Sequence, residues 1–145
     1  DGKTWADPKP SALVHPDAPP MVFHLSDDKT LIAFHHNRHI NTQYVGLTGK
    51  MDGMRDRAEI WISLSKDGGR NWSEPQFLFT NVTRFNPAKN GWFNHNSSYM
   101  DAVIDGGTIH LFLPHLWNRA LYMHLEEKDL AKLPTAQKLA RRLAK

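Results

Sequence analysis

Nine histidines stand in this chain of 145 residues, and five of them gather where apolar runs give way to polar ones. His35, His36 and His39 close one such run, His115 takes the place of His36 in a second run, and His95 shortly precedes Tyr99. Imidazole titrates near neutrality and offers a donor and an acceptor. Converging rings can therefore serve as a general base, hold a metal or hydrogen-bond a substrate. The spacing fits no zinc signature such as HExxH, so substrate contact or hydrogen bonding is the expected role and no metal is expected. Trp92, Phe93 and Trp117 offer flat apolar faces on which a sugar ring could stack, a use that competes with ordinary core packing.

These residues sit in or beside two long polar connections, residues 37–57 (NRHINTQYVGLTGKMDGMRDR) and 81–98 (NVTRFNPAKNGWFNHNSS). Loops of that length inside a compact domain are usually functional or disordered, and the first is expected to overhang a pocket. Short alternating runs at 21–25, 31–36, 59–64, 76–80, 99–104, 108–113 and 120–125 read as strands. Ser26 to Lys29 and Asp105 to Gly107 supply hairpin turns between them. A proline-rich connector, residues 9–20, is expected to cross from one unit to the next. The tail 135–145 (TAQKLARRLAK) places Ala136, Leu139, Ala140 and Leu143 on one face and bases on the other, the pattern of a short amphipathic helix. The chain thus divides into a β body over residues 1–134 and a C-terminal helix or tail over 135–145.

Composition narrows the partners. Hydrophobic residues make up 40% and aromatics 10%, enough for a packed core. The absence of cysteine removes disulfides and thiolate-held metals. Net charge is only +3, with part of the basic excess in the tail at Lys138, Arg141, Arg142 and Lys145, and no nucleic-acid motif accompanies it. No apolar run is long enough to form a spanning helix. Neither nucleic acid nor membrane is an expected partner, and no cofactor is expected.

The stretch that organises the strands is residues 65–75, SKDGGRNWSEP. Ser65, Asp67, Gly69 and Trp72 form the skeleton SxDxGxxW. Asp67 can accept hydrogen bonds from the amides of its own turn, Gly69 permits a positive φ, and Trp72 can bury its ring beneath the loop. Every place has a structural duty that needs no catalysis. This pattern resembles the Asp-box (BNR) repeat of the sialidase superfamily, where it forms the hairpin between the third and fourth strands of a propeller blade, away from the active site. Residues 1–8 (DGKTWADP) line up with 68–75 (GGRNWSEP), residues 21–36 with 100–115, and 57–67 with 119–129. Such self-similarity points to stacked four-stranded units. The expected fold is all-β: about two blades of a sialidase-like six-bladed β-propeller, completed by further blades or by a homotrimer of two-bladed chains.

The resemblance also implies a chemistry and a secreted or periplasmic setting. Sialidases use a tyrosine nucleophile paired with a glutamate, an aspartate acid/base, and three arginines that grip the substrate carboxylate. Tyr99, in YMDAVIDGGTIHLF, matches the setting of that nucleophile. Arg38, just beyond a second strand, and Arg57 (with Arg55), shortly before the Asp-box, match arginine positions. A guanidinium presents two parallel donors to a carboxylate. On this reading Arg38, Arg57, His35, His36, His39, His95, His115 and Trp92 contact substrate. Where the family's glutamate should stand the chain has Ala18, Pro19 and Pro20, and the acid/base aspartate and first arginine belong to blades expected outside this chain. The implied activity is exo-glycoside hydrolysis of terminal, acidic sugars. A lyase acting on uronates through Tyr99 and a histidine, or a glycan-binding propeller without catalysis, are the alternatives.

Overall fold

The computed structural model describes residues 2–13, 19–37, 57, 59–80, 97, 99–115 and 119–143. Four strands, β1 (Met21–His24), β2 (Leu31–His35), β3 (Glu59–Ser65) and β4 (Gln76–Thr80), form one antiparallel sheet in sequence order. Three more, β5 (Asp101–Asp105), β6 (Thr108–His115) and β7 (Arg119–Glu126), form a second. A 3-10 helix (Glu127–Lys132) and the helix α1 (Ala136–Leu143) come after them. The fold is mostly β, as expected of two propeller blades, and the described residues form no closed ring.

Alternation explains the packing. Met21, Phe23, Ile32, Phe34, Ile60 and Ile62 turn to one face of the first sheet, and Ala102, Ile109, Leu111, Leu113 and Met123 to one face of the second. The two faces meet in a single core, which Leu130 of the 3-10 helix joins. Each large aliphatic side chain buried this way contributes about 1.5–3 kcal/mol.

The sheets run in the same sense, and their hairpins are tied at one end. Ser26 N donates to Glu127 Oε1 at 2.8 Å, Gly107 N to Ser26 Oγ at 2.9 Å, and Glu127 N to Gly107 O at 2.9 Å. The β1–β2 turn closes on Asp27, whose Oδ1 accepts from Lys29 N and Thr30 N and whose Oδ2 accepts from the Thr30 hydroxyl. The Asp-box lies at this same end, between β3 and β4, the third and fourth strands of their sheet.

One boundary and one element differ from the sequence-based expectation. The strand expected from residue 99 begins at Asp101, because Tyr99 holds φ at +62°, outside the extended region. The strand expected over 120–125 stands as β7, and the 3-10 helix that follows it, whose Leu130 is drawn into the core, was not expected. Residues 2–13 belong to neither sheet, and Trp5, aligned in sequence with Trp72, is 86% exposed.

Candidate functional site

The end opposite the Asp-box carries Tyr99 and Arg57, two of the residues singled out in the sequence. There β2 and β4 finish while β3 and β5 begin, so the chain at residues 35–37, 57, 59, 80, 97 and 99–101 converges. One backbone bond fixes the convergence: Ser97 N donates to Arg57 O at 2.9 Å, drawing the approach to β5 onto the approach to β3. Tyr99 lies two residues beyond that bond.

Tyr99 is 56% exposed with a left-handed backbone at φ +62°. A bulky side chain in that region is uncommon and costs about 1–3 kcal/mol, and residues held so concentrate at functional sites. Asn37, at φ +50°, turns the chain at the end of β2 in the same way, although asparagine tolerates the conformation more easily. Arg57 is half-buried just ahead of β3.

His35 and His36 are wholly buried. His35 Nδ1 accepts from Asn37 N at 3.2 Å, which leaves Nε2 to donate to Ser63 Oγ at 3.0 Å. His36 Nδ1 lies 2.8 Å from the Glu59 carbonyl, an acceptor only, so that nitrogen carries a proton. These contacts pin the end of β2 to β3. His115 closes β6 opposite Arg119. Arg38, Arg55, His39, Trp92 and His95, with Phe93 and Trp117, lie outside the described residues.

Sequence reasoning passed over Glu59. It is fully buried at the start of β3, and its Oε2 accepts from Trp61 Nε1 at 3.1 Å. The signal that could have found it was an ionisable residue opening an otherwise apolar strand, EIWISL. Two cavities are lined by described residues, one beside β7 and one between the Asp-box and His35 of β2, and neither is lined by Tyr99 or Arg57. Among the described residues no group of His, Asp and Glu could hold a metal ion.

The Asp-box itself is complete. Ser65 Oγ donates to Asp67 Oδ1 at 2.8 Å and accepts from Gly69 N at 2.9 Å. Asp67 Oδ1 accepts from Asn71 N at 2.9 Å and Oδ2 from Asn71 Nδ2 at 2.6 Å. These bonds, those from Asn71 first and that from Ser65 next, lower the Asp67 pKa from 3.8 to about 2. Gly69 sits at φ +86°, and a Cβ built on it would lie 3.6 Å from the Trp72 ring and 3.7 Å from Leu31. A turn bonded so fully within itself, between third and fourth strands, is scaffold. The sequence model of the BNR repeat-like domain matches residues 1–111. The chain belongs to the BNR repeat-like domain family. No curated protein matches it, and no solved structure does. The BNR match takes in the whole first sheet, the Asp-box, β5 and the first half of β6, and it sets the chain within a sialidase-like, glycan-related superfamily.

Proposed function

We propose that this BNR repeat-like chain supplies part of an exo-glycosidase site for terminal, acidic sugars of glycans, with Tyr99 as nucleophile and Arg57 and Arg38 as carboxylate grips. The observation that carries the reading is Tyr99 itself: exposed, in a left-handed backbone, and at the end of the sheets away from the Asp-box. A phenol suits attack beside a negatively charged substituent, because it meets less repulsion than a carboxylate would. Its proton passes to a carboxylate as its oxygen bonds to the anomeric carbon. The bond to the leaving oxygen breaks, that oxygen takes a proton from an acid, and water later displaces the tyrosine. No described residue is assigned to either the carboxylate or the acid role.

The test is turnover of a chromogenic acidic glycoside by the assembled protein. Tyr99→Phe should abolish turnover while ligand still binds, and Arg57→Ala should mainly weaken binding of acidic sugars. Full turnover by Tyr99→Phe would sink the nucleophile assignment. A binding-only reading draws on one observation: His35 and His36 each spend a ring nitrogen on Ser63 or Glu59, which leaves those imidazoles committed to structure. It expects glycan binding without turnover, unchanged in Tyr99→Phe.

A further inference from the structure

The first sheet carries polar chemistry on the face turned away from the core. Phe34 and Ile62 point inwards, so His35 and Ser63, each one residue further along its strand, stand on the other side, and both are almost wholly buried there. A cavity of about 240 Å³ lies against them. Its remaining wall comes from Trp72 and Glu74, at the exit of the Asp-box, and from Ala12 and Leu13, which precede β1. Separate stretches of the chain itself thus bound this space, and neither Tyr99 nor Arg57 lines it.

The polar groups around the cavity have unmet bonding capacity. Asn37 N donates to His35 Nδ1, so Nε2 carries the proton that goes to Ser63 Oγ. The serine oxygen is an acceptor towards the histidine, and its own proton meets no acceptor among the described residues. The Glu74 carboxylate is exposed and accepts no hydrogen bond among them. Trp72 Nε1 is buried and lacks an acceptor as well. Buried polar groups are rarely left so, and their open bonds mark where a partner belongs.

The wall therefore presents a donor in Ser63, an acceptor in Glu74 and an indole ring in Trp72. A pyranose offers the matching set, with hydroxyls that both donate and accept and an apolar C–H face for the aromatic ring. Among the described residues no lysine or arginine lines the cavity, and the charge on Glu74 opposes a ligand that is itself negative. At about 240 Å³ the space is smaller than the roughly 300–1,000 Å³ of sites for drug-sized ligands, which suits one ring and not a chain of them.

We propose that this cavity binds one neutral sugar ring, its C–H face on the Trp72 indole, one of its oxygens accepting from the Ser63 hydroxyl and one of its hydroxyls donating to Glu74. The ligand differs in charge from the acidic sugar proposed for Tyr99, and the assignment does not depend on that residue.

Titration of the intact protein followed by nuclear magnetic resonance tests this, with methyl glycosides of glucose, galactose and N-acetylglucosamine as neutral probes and methyl glucuronide as the acidic control. The five tryptophans give five indole N–H signals, and Trp72→Phe assigns the one from Trp72 by its loss. A neutral probe should move that signal saturably, and the acidic control should not. Glu74→Gln should weaken binding about tenfold, the loss of one hydrogen bond to a charged acceptor. Ala12→Phe should abolish it by filling the cavity. Both positions are exposed, so the other indole signals should stay in place and show that each variant is folded. Tyr99→Phe should leave the titration unchanged, which keeps this site separable from the hydrolytic one. The proposal is overturned if no neutral probe moves the Trp72 signal, if the shift survives both Glu74→Gln and Ala12→Phe, or if the acidic control binds as well as the neutral sugars.

Discussion

The turns after β3 and β7 descend from aligned sequence, RAEIWISLSKD against RALYMHLEEKD, yet they do opposite work. After β3, Ser65 and Asp67 spend their oxygens on the loop that contains them. Ser73 clasps Leu64 on both sides, its hydroxyl accepting from Leu64 N at 2.9 Å and its amide donating to Leu64 O at 2.8 Å. The chain reverses, and β4 pairs with β3. After β7, Glu127 stands where Ser65 would, and its carboxylate reaches instead to Ser26 in the neighbouring sheet. Asp129 pairs with Lys132 inside the 3-10 helix, which holds its carboxyl below the usual range. Leu130 drops into the core, and the chain leaves towards β4. There Phe77 N donates to Pro134 O at 2.8 Å, and the Gln76 amide donates to the carbonyls of Leu130 and Leu133. One turn closes its own blade and the other ties two blades together. The difference lies in whether the polar oxygens point back into the loop or across to another element.

The largest effect expected from this contrast is at Leu130. Leu130→Ala removes a side chain that is 3% exposed and leaves a hole at the junction of both sheets. A loss of about 2–5 kcal/mol in denaturant unfolding is expected. If the 3-10 helix were a decoration rather than a tie, the change would be near zero. Gly69→Ala comes next. The space around its Cβ is ordinary, so the penalty comes from the left-handed backbone, about 1–2 kcal/mol. Unfolding of Gly68→Ala makes a useful partner measurement, since Gly68 shares the backbone region at φ +71° but meets nothing within 4 Å. Similar losses at both positions would show that the backbone, and not the Trp72 contact, sets the cost.

Much of this architecture was legible in the chain. The strands at 21–25, 31–36, 59–64 and 76–80 were expected within a residue or so of where they stand, because alternation and turn residues agree there. The Asp-box fixed the order of β3 and β4 through strictly local bonds. The 3-10 helix was not legible: EKDLAK contains no turn signature, and its shape comes from the burial of Leu130 against residues far away in sequence. The site divides in the same manner. Tyr99 could be singled out by its neighbours in sequence, but an aromatic ahead of an apolar run looks like the start of a strand, and nothing in the residue type announces φ +62°. The His35 and His36 pair stood out as a cluster, whereas the partners that occupy it, Ser63 Oγ and the Glu59 carbonyl, become visible only once β2 and β3 are paired.

The smallest expected effect sharpens the comparison most, because it depends on charge alone. Asp67 titrates at about 2 in the folded chain against 3.8 for a free carboxyl, so its ionised form is favoured by folding. A depressed carboxyl contributes stability that is fully present above the unfolded value, near pH 4. That contribution is lost as pH falls towards about 2. Asp67→Asn keeps an oxygen for Asn71 N and removes the charge. The variant should therefore melt below the wild type at neutral pH, and the gap should narrow from about pH 4 downwards and close near pH 2. Asp27, held at about 2 chiefly by the Thr30 hydroxyl, gives both proteins the same background slope, which the difference between their melting curves cancels. A gap that persists unchanged at pH 2 would mean that the geometry of the side chain matters and its charge does not, and the Asp-box would then be held by shape in the way the 3-10 helix is held by Leu130.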